Sequence, residues 1–270
     1  MPLRHHLQPM RDYQLAKNYA WDPAALDFAQ DARDWAALNP REQDILCNLL
    51  SMFIAGEEAV ASDLAPLLWA LGRTGGLREE EMFVTTQLFD ESRHVEFFNR
   101  WFEEVAGPVD HSQYWGPVYR RVFFDELPQA LETLIANHSP RAMIRALLTY
   151  HVTVEGVLAE TGYHAAFLAC QRHGVLPGLT QGLEFVKRDE SRHIAYGLYA
   201  LQRLLAADPD LMAFVNDTTN HLLSLALGII PEALEPYGDD VPFGIDLQEM
   251  TAYAIDQFNR RYAVIERVAA

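Results

Sequence analysis

Apolar residues recur at intervals of three and four over long windows of this chain, and β-branched residues rarely alternate with polar ones. The pattern predicts an all-α protein. A first long helix is expected after Asn39-Pro40, with Asn39 as N-cap and Pro40 in the first turn, over residues 40–71. Pro66 should kink it, and Gly72 with the turn Gly75-Gly76 should end it. A second helix is expected over residues 79–105, stopped by Gly107-Pro108. An aromatic-rich connection over residues 111–119 leads to shorter helical segments beginning near Arg121. Ser139-Pro140 opens a helix over residues 141–173, and Gly174 and Pro177 separate it from one over residues 179–206. Two more are expected at 211–229 and 247–268, with 231–246, rich in Pro, Gly and Asp, as a loop between them. No linker or low-complexity tract interrupts the pattern. Residues 1–270 therefore read as one domain, a bundle with at least four long helices and further helices around them.

Composition narrows the function. Of 270 residues, 50% are hydrophobic and 11% aromatic, enough for a sizeable core and incompatible with disorder. Lys and Arg number 21 against 38 Asp and Glu, a net charge of -17. Such a surface repels nucleic acid and anionic membranes, and no run approaches the roughly 20 apolar residues of a membrane span. The two cysteines, Cys47 and Cys170, are far apart and outside any C-x-x-C pair, so neither a disulfide scaffold nor a thiolate metal site is expected. With no apolar stretch of a signal peptide at the N-terminus, the expected location is the cytoplasm. The acidic excess is instead a source of metal ligands.

The pentapeptide Asp90-Glu91-Ser92-Arg93-His94 recurs as Asp189-Glu190-Ser191-Arg192-His193. By chance this happens in roughly one chain in fifty of this size, so a wider repeat is worth seeking. Glu57 lies 34 positions before Glu91, and Glu155 lies 35 before Glu190, each on a separate expected helix. The chain thus holds two copies of Glu, a turn, then Glu-x-x-His. Residues three apart share a helix face, so Glu91 with His94, and Glu190 with His193, can each grip one ion. Glu57 and Glu155 complete the set, which is that of ferritin-like di-iron and di-manganese carboxylate proteins. Four carboxylates with one imidazole per metal suit iron or manganese.

Helical stepping separates Glu57 from Glu58. From Glu57 it meets Leu50, Phe53, Ile54, Val60, Ala61 and Leu64, a core-facing stripe; from Glu58 it meets Ser51, Ala55, Ser62 and Ala65. Glu57 is the inward residue, and Glu58 belongs behind the ligands or on the surface. His151, one turn before Glu155, is assigned a supporting place, because the matching position before Glu57 is Phe53. Glu160 and His164 read as a hydrogen-bonded or ionic pair along one helix. Asp90 and Asp189, next to the ligand glutamates, are candidates to orient the metal-bound imidazoles.

At these residues, from Trp21 to about Leu201, the sequence resembles the ribonucleotide reductase small-subunit superfamily. It resembles most its ligand-binding oxidase branch, through Gly56-Glu-Glu-Ala-Val60, Tyr150-His-Val-Thr-Val-Glu155 and Gly156-Val-Leu-Ala-Glu-Thr-Gly-Tyr163. The resemblance implies a ferritin-like bundle around a heterodinuclear Mn/Fe site, with di-iron as a variant. It implies O2 activation, a long-chain fatty acid ligand, an external electron donor and a homodimer. It places Trp21 in an electron-transfer chain with Asp189 and His94, and it joins Val60 to Tyr150 by an oxidative ether cross-link. On an ideal helix Tyr150 lies about 140° from Glu155, so the cross-link requires a distorted helix. A radical-generating reductase subunit is the alternative, but Phe98 stands where its tyrosine would be, which leaves only a metal-based oxidant. A ferritin-like metal store without catalysis is a third reading, opposed by the chain length and by the Val60/Tyr150 pair.

Overall fold

The computed structural model describes residues 2–74 and 76–267, so Gly75 and Val268, expected in a turn and at a helix end, lie outside it. Among the described residues there is helix and no strand. The elements are α1 Gln8–Asn18, α2 Ala29–Ala37, α3 Pro40–Asp63, α4 Ala65–Arg73, α5 Arg78–Trp101, α6 Pro117–Arg120, α7 Leu127–Ala136 and α8 Pro140–Leu147. After α8 a π-helical stretch, Leu148–Ala159, leads without a break into α9 Glu160–His173, followed by α10 Pro177–Ala207, α11 Met212–Leu234 and α12 Leu247–Glu266. Four long rods form the centre: α3, α5, the continuous α8–π–α9 rod, and α10. Helix α1 lies across α5 and α10, while α11 and α12 pack on the outside of the π stretch.

Most boundaries follow local chemistry. Asn39 caps α3 by accepting from the backbone N–H groups of Arg41 and Glu42, while Glu42 reaches back to Asn39 N at 2.9 Å, a complete capping box. The Ser139 hydroxyl accepts from Ala142 N, and Gly174 closes α9 with φ 65°. Where a kink at Pro66 was expected the helix breaks two residues earlier, at Leu64, with Pro66 in the first turn of α4, the position where its missing N–H costs nothing.

Three expectations need correction. Helices α1 and α2 precede the first helix read from the sequence; α1 buries only Pro9, Met10, Asp12 and Ala16, too thin an apolar stripe to show as periodicity. The loop expected over residues 231–246 is partly helix, because α11 passes through Pro231 to Leu234. Ile230, Ala233 and Leu234 are buried there, and their packing outweighs the one backbone bond that proline removes. Glu160 and His164 do not pair: Glu160 bonds Lys187 at 2.8 Å, and the His164 ring stacks on Tyr253.

Two apolar clusters flank the centre of the bundle, and the central helices pass from one to the other. On α3 the change falls between Ile54 and Ala55, on α5 between Val84 and Phe97, on the π stretch between Val154 and Val157, and on α10 between Val186 and Tyr196. Glu91 with His94, Glu155, and Glu190 with His193 occupy the last three gaps, and Glu57 lies just past the first. An 18-residue window of Pro40–Arg73 has a mean hydropathy of 1.4, enough by composition for a membrane span, yet 67% of it is buried in the bundle. Its apolarity serves the two clusters.

Candidate dinuclear metal centre

The four central rods bring six side chains together. Glu57, Glu91, His94 and Glu190 form one group and Glu91, Glu155, Glu190 and His193 a second, with the candidate ligand atoms of each within 4.8 Å of one another. Glu91 and Glu190 belong to both groups. In both copies of Glu-x-x-His, imidazole Nδ1 faces the carboxylates: His94 Nδ1 is 3.3 Å from Glu57 and 3.4 Å from Glu91, and His193 Nδ1 is 3.1 Å from Glu91 and 3.2 Å from Glu155. The Nε2 atoms face outward, His94 to Asp189 at 3.5 Å and His193 to Asp90 at 3.3 Å. Each aspartate of the repeated pentapeptide thus serves the histidine of the other copy.

All six residues are buried. Burial pushes Glu57 up to about 8, against the pull of His94. Burial and neighbouring carboxylates also raise Glu155 and Glu190, whereas on Glu91 the penalty of burial is overcome by His193 and His94, which hold it low. Burial opposes a charge on His94 and His193 too, but the facing carboxylates prevail and keep both well above 6.5. Four buried carboxylates within contact titrate as one set, and without cations that set retains protons at neutral pH. Glu155 Oε2 and Glu190 Oε2 find no hydrogen-bond partner among the described residues, and His193 Nδ1, although 3.1 Å from Glu91 and 3.2 Å from Glu155, is not angled to bond either. Buried oxygens and an imidazole nitrogen left unpaired at one point are costly unless a cation satisfies them, so the donor set fits two divalent ions of the iron or manganese kind.

Behind the histidines lies a ring of charge that was not foreseen in the sequence. Arg93 bonds Asp90 on its own helix and Asp189 on α10 at 3.1 Å; Arg192 bonds Asp189 at 2.7 Å and Asp90 at 3.0 Å. The arginines of the repeat had the same spacing signal as its histidines, three residues after each aspartate. Burial would raise Asp189, but His94 and then Arg192 hold it well below the usual carboxylate range; Trp21 Nε1 adds a smaller contribution by donating to it at 2.7 Å, a bond with no counterpart at Asp90. The repeat is symmetric, and its surroundings are not.

Tyr150 reaches the centre because the helix carrying it is π-helical. Hydrogen bonding from i to i+5 turns residues five apart towards one side, and the Thr153 hydroxyl follows the same register by donating to Leu148 O. The Tyr150 hydroxyl donates to Glu91 Oε1 at 2.6 Å and accepts from Gln87 Nε2 at 3.1 Å. Gln87 Nε2 is also 3.1 Å from Glu155 Oε1 and 3.3 Å from His151 Nε2. No motif singled out Gln87, although it lies one helical turn before Glu91. His151 joins neither ligand group; burial and His193 push it down to about 3, so it is a neutral imidazole. A Cβ on Gly197 would lie 2.2 Å from His151, which is why α10 carries glycine there. Glu58 is exposed, as the stepping argument required.

One side of the centre opens into an apolar cavity. Glu57, Glu91, Glu155 and Glu190 form its floor, Val60 and Tyr150 line it beside them, and Phe53, Phe123, Ile229 and Leu234 are among its walls. None of its lining residues is basic. Phe98 is buried in a stack with Phe53, which in turn stacks on Tyr163.

Residues 8–266 match the family profile "Ribonucleotide reductase, small chain". Solved structures of R2-like ligand-binding oxidases superpose closely. One point mutant with an aerobically reconstituted Mn/Fe cofactor is 35% identical, with a TM-score of 0.94 over 98% of this chain and 100% of that one. A second such mutant is also 35% identical, with a TM-score of 0.93 over 97% of this chain and 95% of that one. An R2-like ligand-binding oxidase reconstituted aerobically with Mn/Fe in a long soak is 36% identical, with a TM-score of 0.92 over 97% and 93%.

Proposed function

This chain belongs to the ribonucleotide reductase small-chain family, and from that premise we propose that it is an O2-dependent oxidase of the R2-like ligand-binding type, working with one manganese and one iron ion. Glu57, Glu91, His94 and Glu190 would hold one ion and Glu91, Glu155, Glu190 and His193 the other. When bound, the ions supply electrons to O2 and the oxidising power that breaks a C–H bond.

The protein's own residues do the rest. The apolar walls exclude water and accept the tail of a long-chain fatty acid, and with no Lys or Arg lining the cavity its carboxylate has to settle at the metal floor. Glu91 accepts the hydrogen bond of Tyr150 and is placed to take the phenol proton, while Gln87 fixes the ring. Val60 gives up a hydrogen and Tyr150 its hydroxyl proton as the ether bond forms, a two-electron oxidation within the chain. An external donor then returns electrons to the site. We assign the protein to the cytoplasm as a homodimer.

The observation that carries this reading is that Val60 and Tyr150 line one cavity directly beside the carboxylate cluster. A reductase subunit or a metal store has no use for that pair, and Phe98 offers no hydroxyl for a stable radical. The test is peptide mass spectrometry of protein loaded anaerobically with Mn(II) and Fe(II), before and after O2. A loss of two hydrogens confined to linked peptides carrying Val60 and Tyr150, absent in Tyr150→Phe, supports the oxidase. Two bound metals with no linkage would return the reductase-subunit and storage readings, and no bound metal would end all three.

A further inference from the structure

No residue that lines the cavity is exposed, so a long apolar chain enters only if a wall gives way. Two walls belong to central rods: α3 from Leu49 to Val60, and the π–α9 stretch from Tyr150 to Ala165. Another is made by Ile230, Ala233 and Leu234 at the end of α11 with Met250 at the start of α12. This wall is built differently. Pro231 has no N–H to give to Leu227 O, so the last turn of α11 is joined to the rest of its helix by one bond fewer. The chain then runs through two short turns, Glu235–Tyr237 and Pro242–Gly244, with Gly238 at φ 67° and Gly244 at φ 65°. Between those glycines Phe243 has φ 62°, a left-handed backbone that strains a bulky residue.

The bonds that hold this strap, residues 231–246, come mainly from three polar residues at successive turns of α3. Arg41 Nη2 donates to Tyr237 O and to Asp240 O, each at 2.8 Å. Asp44 Oδ2 accepts from the Tyr237 hydroxyl at 2.7 Å. Asn48 Nδ2 donates to Ala233 O at 2.9 Å, capping a carbonyl in the last turn of α11. On the α9 side, His173 Nε2 is 3.4 Å from Phe243 O. Arg41 and Asp44 are exposed, so water competes for their bonds and breaking them costs little. The closed strap also carries two costs of its own: the backbone of Phe243, and Asn48 Oδ1, which is buried with no hydrogen-bond partner among the described residues.

We propose that residues 231–246 are the door of the cavity: the last turn of α11 unlatches from Arg41, Asp44 and Asn48 and swings about Pro231 and the glycine-flanked turn, admitting a fatty acid chain past Ile230, Ala233 and Leu234. Opening lets Phe243 relax and lets water reach Asn48 Oδ1, which offsets part of the apolar contact that is lost. The latch thus governs entry to the centre and release from it without touching a candidate metal ligand. The proposal rests on the oxidase reading, which supplies the long-chain ligand.

The test uses cis-parinaric acid, a fluorescent long-chain fatty acid, and protein loaded anaerobically with Mn(II) and Fe(II), so that no turnover intervenes. Stopped flow reads association, and displacement by a non-fluorescent fatty acid reads dissociation. Tyr237→Phe, which removes only the hydroxyl bonded to Asp44, and Arg41→Ala loosen the latch of free and occupied protein alike. Both rates should therefore rise together, on the order of fivefold, with the dissociation constant unchanged. A merely structural defect would weaken binding through dissociation alone. Hydrogen exchange of the ligand-free chain should show the Ala233 and Leu234 amides opening faster in both variants, while those of Leu222 and Ala226 in the same helix keep the parent's rate. Association unchanged in both variants overturns the proposal, and so does exchange at Ala233 and Leu234 as slow as at Leu222 in all three proteins. Failure of the oxidase reading looks different: neither parent nor variants bind the acid or the metals, which ends the strap's role as a door whatever exchange shows.

Discussion

Removing metal should make this protein lose stability as pH rises through neutrality, the reverse of the usual behaviour of paired carboxylates. Glu57 is pushed up to about 8 by burial, from an ordinary 4.5. Between those values the folded chain keeps a proton that the unfolded chain has released, so stability is full below the lower value and drains away towards the upper one. His94 and His193, raised well above 6.5, act in the same direction once the unfolded histidines deprotonate. Groups of opposite sign end earlier: His151, held at about 3, costs stability only as pH falls below 6.5. Asp12, raised to about 6, acts in the same direction as Glu57, but most of its change lies below 6.5.

The clean window is therefore pH 6.5 to 8, where one retained proton at Glu57 is worth about 2 kcal/mol, or roughly 4 °C or more in Tm. Bound cations replace these protons, so loaded protein should have a nearly flat profile and release protons on binding. Calorimetric scans of chelated and anaerobically loaded protein across the window, with Glu57→Gln beside them, give the answer. Chelated wild type should fall most, and chelated Glu57→Gln clearly less. Equal slopes in chelated wild type and Glu57→Gln, or an equally steep fall in the loaded protein, would refute the argument.

Other consequences are as direct. Arg192→Met leaves Asp90 and Asp189 to share Arg93 in a buried site, and chemical denaturation should show a loss of about 3–5 kcal/mol. Gln87→Leu removes one partner each from Tyr150, Glu155 and His151; it should cost about 1–3 kcal/mol and lower the linked fraction of Val60 and Tyr150 in the peptide spectra. Ala165→Phe places a ring in the cavity wall, so, on the proposed fatty-acid reading, the variant should retain less added long-chain fatty acid than the parent while metal analysis finds the same metal content in both.

Local signals are enough for the helices whose stripes and caps are short-range: Asn39 with Glu42, Ser139 before Pro140, and Gly174 are legible in the chain because each acts within one turn. The sequence also brought six ionisable residues into one proposed set, because a repeat of Glu and Glu-x-x-His leaves a mark whatever lies around it. Helical stepping picked the inward glutamate of the Glu57-Glu58 pair for the same reason, since the core-facing stripe is written at fixed intervals. Everything that depends on contact between helices had to wait for the tertiary structure. Which aspartate serves which histidine was hidden, because the pentapeptides exchange partners across α5 and α10. Gln87 has no motif, only a place on α5 where Tyr150, His151 and Glu155 of the π stretch meet it. The π register that turns Tyr150 inward carries no motif in residues 148–159, and it lies where α10, α11 and α12 pack on the stretch. Helix α1 is too polar to announce itself and forms because α5 and α10 offer it a surface. Periodicity records what one helix buries, and only the assembled bundle decides what that buried face meets.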